Sequence, residues 1–306
     1  MEKAYFSDWL NRFSYHLRMR NYSQKTIRSY DRVIKQFAHY VWFRRNTEPA
    51  KLDQYWKERN TIGKLDTEIN VSNQMIEEFF AYVTMIRPLK PTTLNRMISS
   101  LSSFYNYLYN QNVIDKNPII KVERPKIKEY ELQYMKHNQV LNLINSIEDE
   151  RDRLIIKTIY ATGVRVSEFC NISVEDIDFD FYTIRIKGKG DKIRTIFIDE
   201  TTLAELEHYL DGRKYGPLFC GHHGNHISPR TVQHIFRKYA PKGITPHKIR
   251  HSYASELYKR SKNLRVVQEN LGHSSIKTTE IYLHTDIEER KKIYQEHFPL
   301  SSNHNE

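Results

Sequence analysis

Apolar side chains recur at helical spacing along most of this chain of 306 residues, and they alternate at strand spacing in one stretch alone. That contrast limits the fold more than any other feature, because amphipathic helices with one small β element pack as helical domains and not as a sandwich, barrel or parallel sheet. Over residues 1–110 the helical stripes are rich in aromatic side chains. Tyr5, Trp9, Phe13 and Leu17 fall on one face, and Ile27, Tyr30, Ile34, Phe37 and Val41 follow after Ser23. Ser23 and Ser72 are expected to cap the second and third helices, the third running through Met75, Phe79, Tyr82 and Val83. Pro91 suits the first turn of a fourth, with Leu94, Ile98, Leu101, Tyr105 and Leu108 inward. Residues 46–71 are polar, mixed and without a period.

Two prolines and mixed charges between Asp115 and Tyr130 read as an extended crossing between domains. The expected division is a basic helical domain over 1–120, a linker over 121–132 and a second domain over 133–306. Helical periodicity returns at Lys136 through Val140, Leu143 and Ile147, then over Arg153–Tyr160, where Thr162-Gly163 stops it. Tyr182, Ile184 and Ile186 alternate with Thr183, Arg185 and Lys187. After the turn Gly188-Lys189-Gly190-Asp191, a second run places Ile193, Ile196 and Ile198, so a hairpin is expected. Helices resume near Thr201 and after Ser228-Pro229, and three short ones are expected within 246–297. The fold class is therefore mainly α, with a small β-hairpin or sheet in the second domain.

The chain carries 48 Lys and Arg against 37 Asp and Glu, a net charge of +11, which favours a polyanionic partner. Residues 1–125 hold 20 basic and 12 acidic side chains, a net of +8, whereas the remainder holds 28 and 25. Histidine is distributed oppositely, with 12 of 14 after residue 125. The first domain thus reads as an electrostatic grip, and the second as the place where individual polar residues matter. With a mean hydropathy of −0.70 and no apolar run near membrane length, a spanning helix is not expected. No secretory leader is evident, and Cys170 and Cys220 are too few for a disulfide framework, so a cytoplasmic location is expected.

Taken singly, the candidate site residues have ordinary structural readings. Arg165 could be a surface arginine, Lys189 a soluble turn, His273 a cap and Tyr282 core. His247 and Arg250, three apart, would share a helical face. Their order changes the reading. ATGVRVSE around Arg165, GKG around Lys189, HKIRHSYAS with His247 and Arg250, LGH with His273, and a tyrosine nine residues later resemble the tyrosine recombinase family, most of all its Xer-like site-specific recombinases. KGKGDKIRTIFI and LFCGHHGNHIS read like that family too. The resemblance is detailed over residues 135–290 and general over 1–120.

That resemblance implies site-specific DNA strand exchange with Tyr282 as a nucleophile that forms a 3′-phosphotyrosyl bond and expels a 5′-hydroxyl. Neither a Walker-type glycine loop nor an Asp/Glu cluster at metal-ligand spacing occurs, so no cofactor and no metal is expected. Protein cations must then stabilise the transition-state charge. The implied roles are a phosphate clamp for Arg165 and Arg250, a general acid for Lys189 and proton transfer at the tyrosine for His247. His273 would donate a hydrogen bond to the scissile phosphate, and Glu168 would orient the set from behind. Arg230, opening a helix, is a further candidate for DNA contact. The Cys220, His222, His223, His226 run fits no standard zinc spacing.

The implied partner is double-stranded DNA at a specific site, gripped by a two-domain C-shaped clamp. A homo-tetramer is expected on DNA, and a monomer or dimer when free. The amphipathic tail Asp286–His297 would dock into a neighbouring protomer. A paralogous recombinase or an accessory protein is left open as a further partner. Resolution of chromosome or plasmid dimers is the favoured role, with a mobile-element integrase of the same chemistry as the alternative. A relaxing type IB topoisomerase, a catalytically inactive architectural protein and an RNA-binding module fit less well.

Overall fold

A computed structural model of the chain describes residues 3–46, 65–127, 134–188, 192–272 and 294. The chain divides into two compact units, one within residues 1–130 and the other within 131–306.

Among its described residues the first unit has four helices: α1 (Phe6–Met19), α2 (Gln24–Asn46), α3 (Asn73–Ile86) and α4 (Pro91–Asn110). Their starts follow local chemistry. The Ser23 hydroxyl accepts from Thr26 N, Ser72 accepts from Met75 N, and Pro91 occupies the first turn of α4. The buried stripe of α1 is Phe6, Leu10, Phe13 and Leu17, turned one residue from the Tyr5–Trp9 reading. Tyr5 lies outside the helix because its backbone pairs with Glu68. Around it, Phe6 N donates to Thr67 O at 3.0 Å and Ile69 N to Ala4 O at 3.0 Å. Arg45 donates to Thr67 Oγ1, Glu68 O and Asn70 O, so part of the stretch without a period is tied down by one guanidinium. Residues 47–64 lie outside the described residues. Phe6, Phe13, Phe37, Phe79 and Phe104 fill the centre, with stacked and edge-on contacts at centroid separations of 5.2–6.0 Å.

The second unit holds α5 (His137–Asn145), α6 (Glu150–Thr162) and the short α7 (Val166–Phe169). A three-stranded sheet follows, of β1 (Ile177–Asp178), β2 (Thr183–Lys187) and β3 (Ile193–Phe197). Next come the helices α8 (Glu200–Leu210), α9 (Pro229–Tyr239), α10 (Pro246–Ser261) and α11 (Leu264–Leu271). The sheet is antiparallel in the order β1-β2-β3, with Ile184 opposite Ile196 and Lys187 opposite Ile193. The expected hairpin is thus present, with a short third strand beside it. One face buries Ile184, Ile186 and Ile196 in an aliphatic core with Leu154, Ile155, Ile159, Leu206 and Ile249. Two details differ from the sequence reading. Tyr182 precedes the strand in a left-handed turn at φ 53°, and Ile193 faces solvent at 65% exposure. Since strand side chains alternate, the inward partner of Ile196 on β3 is Arg194. Helix α10, at 16 residues, is longer than expected. Among the described residues no helix is long and apolar enough to cross a membrane.

Candidate active site

Helix α6 ends at Gly163, whose φ of 60° lies in the left-handed region. Its neighbour is the ring of Tyr253 on α10, so close that a β-carbon on residue 163 would stand 2.2 Å from the ring's Cδ1. Backbone angle and space both demand glycine there. Arg250, one turn before Tyr253 and 2% exposed, donates from Nη1 to Gly163 O at 2.6 Å and from Nη2 to Leu271 O at 2.8 Å. One guanidinium therefore satisfies carbonyls at the C-terminal ends of two helices, where unpaired acceptors and the negative end of the dipole favour a cation.

The turn at Gly163 leads through Val164 to Arg165, which caps α7. Arg165 N donates to Glu168 Oε2 at 3.0 Å, and its Nη1 donates to Oε1 at 2.8 Å. Glu168 is 7% exposed and receives two further bonds from Arg194 on β3: Nη1 to Oε1 at 3.1 Å and Nη2 to Oε2 at 2.8 Å. Burial pushes this carboxyl upward, but the bonds from Arg194, then the Arg165 backbone N–H, the Arg194 charge and the Arg165 side-chain bond, outweigh it and hold its pKa down to about 2. Glu168 is thus a fixed anion between two arginines. Arg165 retains a solvent-facing side chain, 41% exposed.

His247 stands in the first turn of α10, three residues before Arg250. Burial first, then the charges of Arg250 and Arg165, lower its pKa, so its imidazole is neutral at neutral pH and can accept a proton. Its ring meets that of His251 edge-on, with centroids 4.5 Å apart. His251 is held lower still, to about 4, by burial, His247 and Arg250. Three guanidiniums against one carboxylate leave the cluster with a net charge of about +2, which suits a polyanion such as a phosphodiester.

Of the sequence candidates, the structure brings together Arg165, Glu168, His247 and Arg250. Lys189, His273 and Tyr282, and the tail Asp286–His297 apart from Tyr294, lie outside the described residues. Their chain neighbours border the cluster. Gly188 N donates to Lys192 O at 2.8 Å at the base of the hairpin turn, and a β-carbon on Gly188 would lie 3.4 Å from Arg194 Nη1 and 3.8 Å from Glu168 Oε1. Gly272, directly after α11, packs on Arg194, since a β-carbon there would come 2.9 Å from the guanidinium carbon. Arg230 is exposed in the first turn of α9, and among the described residues no hydrogen bond or ion pair ties it to the cluster. Cys220 and His226 close a tight turn as a bridge pair. Among the described residues no group of three or more His, Cys, Asp or Glu gathers as a metal site.

Sequence reasoning missed two residues, Arg194 and Tyr253. A signal existed for the first: if Ile196 and Ile198 point inward, so does Arg194, and an inward arginine on a strand calls for a buried carboxylate. None existed for Tyr253, whose role is its contact with Gly163, 90 positions away in the chain.

The comparisons agree with this architecture. Residues 133–289 match the family described as "Phage integrase family", and residues 9–115 match "Phage integrase, N-terminal SAM-like domain". A tyrosine recombinase of Pseudothermotoga lettingae is 33% identical, over 87% of this chain and 99% of its own. Tyrosine recombinase XerC of Staphylococcus epidermidis is 31% identical, over 92% of this chain and 94% of its own. Among solved structures, XerH site-specific recombinase bound to difH substrate in a pre-cleavage complex is 27% identical with a TM-score of 0.60, covering 88% of this chain and 79% of that one. A lambda integrase dimer bound to a COC' core site has a TM-score of 0.66 at 18% identity, covering 92% and 78%, and shares the fold. With the arginine–glutamate–histidine cluster set on this helical unit, and with relatives matched along nearly their whole length, the chain belongs to the phage integrase family of tyrosine recombinases.

Proposed function

We propose that this protein is a site-specific DNA recombinase that cleaves and rejoins strands through a covalent 3′-phosphotyrosyl intermediate on Tyr282, in the manner of Xer-like resolution of chromosome or plasmid dimers. The observation that carries the reading is the convergence of Arg165, His247 and Arg250 on one positive site, with the buried Glu168 fixing the solvent-facing Arg165. In the proposed reaction the Tyr282 oxygen attacks the scissile phosphorus, a P–O bond forms, and the bond to the 5′-oxygen breaks. His247, neutral at neutral pH, takes the phenolic proton. Lys189 returns a proton to the leaving 5′-oxygen.

Charge accumulates on the non-bridging oxygens, where Arg165 meets phosphate from the solvent side and Arg250 from beneath. The guanidinium of Arg250 has five N–H donors, so bonds that anchor it to backbone carbonyls are compatible with a further bond to phosphate. His273 adds a donor at the same phosphate. Arg230 and the basic first unit contribute contacts along the duplex. A homo-tetramer on paired sites, with the tail Asp286–His297 exchanged between protomers, completes the proposal.

The test is wild type and Tyr282→Phe incubated with EDTA on nicked suicide duplexes tiled from the host replicon, followed by a denaturing gel. Adducts with wild type alone on one or a few fragments are expected. Adducts on every fragment would mean a relaxing topoisomerase, and adducts formed by Tyr282→Phe would move the nucleophile elsewhere.

A further inference from the structure

Arg194 stands at the centre of the cluster and makes no use of its charge toward solvent. Its two Nη atoms grip both oxygens of Glu168, its Nε donates to Asn270 O at 3.4 Å, and its stem and guanidinium lie against Gly272. It therefore joins three elements: β3, which holds it; α7, through Glu168; and the C-terminal end of α11. The side chain is 17% exposed, less than half the exposure of Arg165, which shares the same carboxylate. Glu168 offers two oxygens to two guanidiniums and a backbone N–H. Arg165 holds one oxygen through Nη1, and the bidentate fork of Arg194 fixes the plane in which that oxygen is presented.

We propose that Arg194 is a positioning residue for strand cleavage: by neutralising and orienting Glu168 it sets where the Arg165 guanidinium stands, and by bracing Asn270 and Gly272 it sets the end of α11. The inference rests on the recombinase reading above and deepens it. Three consequences follow from the geometry. Losing the fork leaves a buried carboxylate with one partner, so Arg165 is drawn toward Glu168 and away from a phosphate. The strand β3 loses its tie to α7. Gly272 loses the surface on which it packs. A displacement of about 1 Å at a charge-stabilising group lowers a rate by about 100-fold. A lysine at 194 keeps the charge but cannot span both carboxylate oxygens and the Asn270 carbonyl together.

The experiment measures two quantities on a fragment that wild type cleaves. One is the affinity for the intact duplex; the other is the single-turnover rate of adduct formation on the nicked duplex at saturating protein, with reaction amplitude and thermal midpoint as controls for folding. Arg194→Gln is expected to slow adduct formation about 100-fold while affinity changes little. Arg194→Lys is expected to recover part of that loss, about tenfold. In the Glu168→Gln background, Arg194→Gln is expected to add at most about twofold, because both substitutions break one unit. Losses that multiply, or an Arg194→Lys protein at the wild-type rate, would overturn the proposal even if Arg194→Gln fails to fold. A wild type that forms no adduct anywhere would instead remove the recombinase reading, and this inference with it.

Discussion

Eight of the ten largest fully buried side chains among the described residues belong to the N-terminal unit, Phe6, Phe13, Phe37, Tyr40, Phe43, Phe79, Phe104 and Tyr105, whereas the C-terminal unit has Phe169 and Phe219. The C-terminal unit instead buries charge: Glu168 and Arg250 lie within it, with Arg194 close behind. Rings fill space without strict direction, so the first unit gains stability from area and shape. Charges in a core persist only when each hydrogen bond is answered, so the second unit is held at its site by a directional network. One unit is built to be solid, and the other keeps a positive site in a set geometry. Substitutions of similar energetic cost should therefore have unlike functional effects in the two units.

The largest stability loss is expected from Phe104→Ala, which empties a fully buried ring site and should cost about 4 kcal/mol in urea unfolding of the full chain. The protein that remains folded should form adducts at the wild-type rate. A slower rate at constant folding would break the contrast between the units.

Glu168→Gln should cost less, about 2–3 kcal/mol, since it weakens a carboxylate shared by two arginines whose own exposure limits the penalty. Here adduct formation should fall with stability, and a variant that is destabilised yet fully active would deny the cluster its role.

Gly163→Ala sharpens the same point at a backbone position. It meets both the left-handed φ and the Tyr253 ring, and about 2 kcal/mol is expected. Gly212→Ala, at φ 78° with open space around it, should cost about 1 kcal/mol. Equal thermal midpoints for the two variants would show that the ring yields freely.

The last effect is in pH. His251, held at about 4 against an ordinary 6.5, stays neutral in the fold while the unfolded chain protonates. Stability should thus decline as pH falls from about 6.5 toward 4, by about 1–2 kcal/mol after solvent screening. His251→Gln should flatten that slope in thermal melts. Glu168 acts in another window: its depressed pKa, about 2, keeps its contribution intact until pH falls below the ordinary carboxylate range. A decline confined to pH below 4 would assign the whole effect to carboxylates.

Local chemistry made much of the fold legible. Ser23, Ser72, Pro91 and Ser228 mark helix starts because a side-chain oxygen or a fixed φ acts within one turn. The hairpin was legible because alternation over ten residues needs no distant information. The stripe of α1 was misread by one residue, since Tyr5 is drawn out of the helix by pairing with Glu68, across 63 positions. Ile193 was misread because strand side chains alternate: with Ile196 and Ile198 in the core, residue 193 faces solvent and Arg194 points inward, where Glu168 pairs with it. Arg165, Glu168, His247 and Arg250 were found through their motifs.

The sequence by itself determined the helical class, a small sheet, the concentration of positive charge in the first 125 residues and the family to which the chain belongs, because each is written in neighbours along the chain or in ordered motifs. Only the tertiary structure decided that Arg194 shares Glu168 with Arg165, that Arg250 joins the ends of α6 and α11, and that Tyr253 makes residue 163 a glycine. These are contacts between residues 26 to 90 positions apart, apart from the Arg250–Leu271 bond. A buried charge accepts whatever partner the fold brings within about 3 Å, and that distance is fixed by packing, not by spacing in the chain.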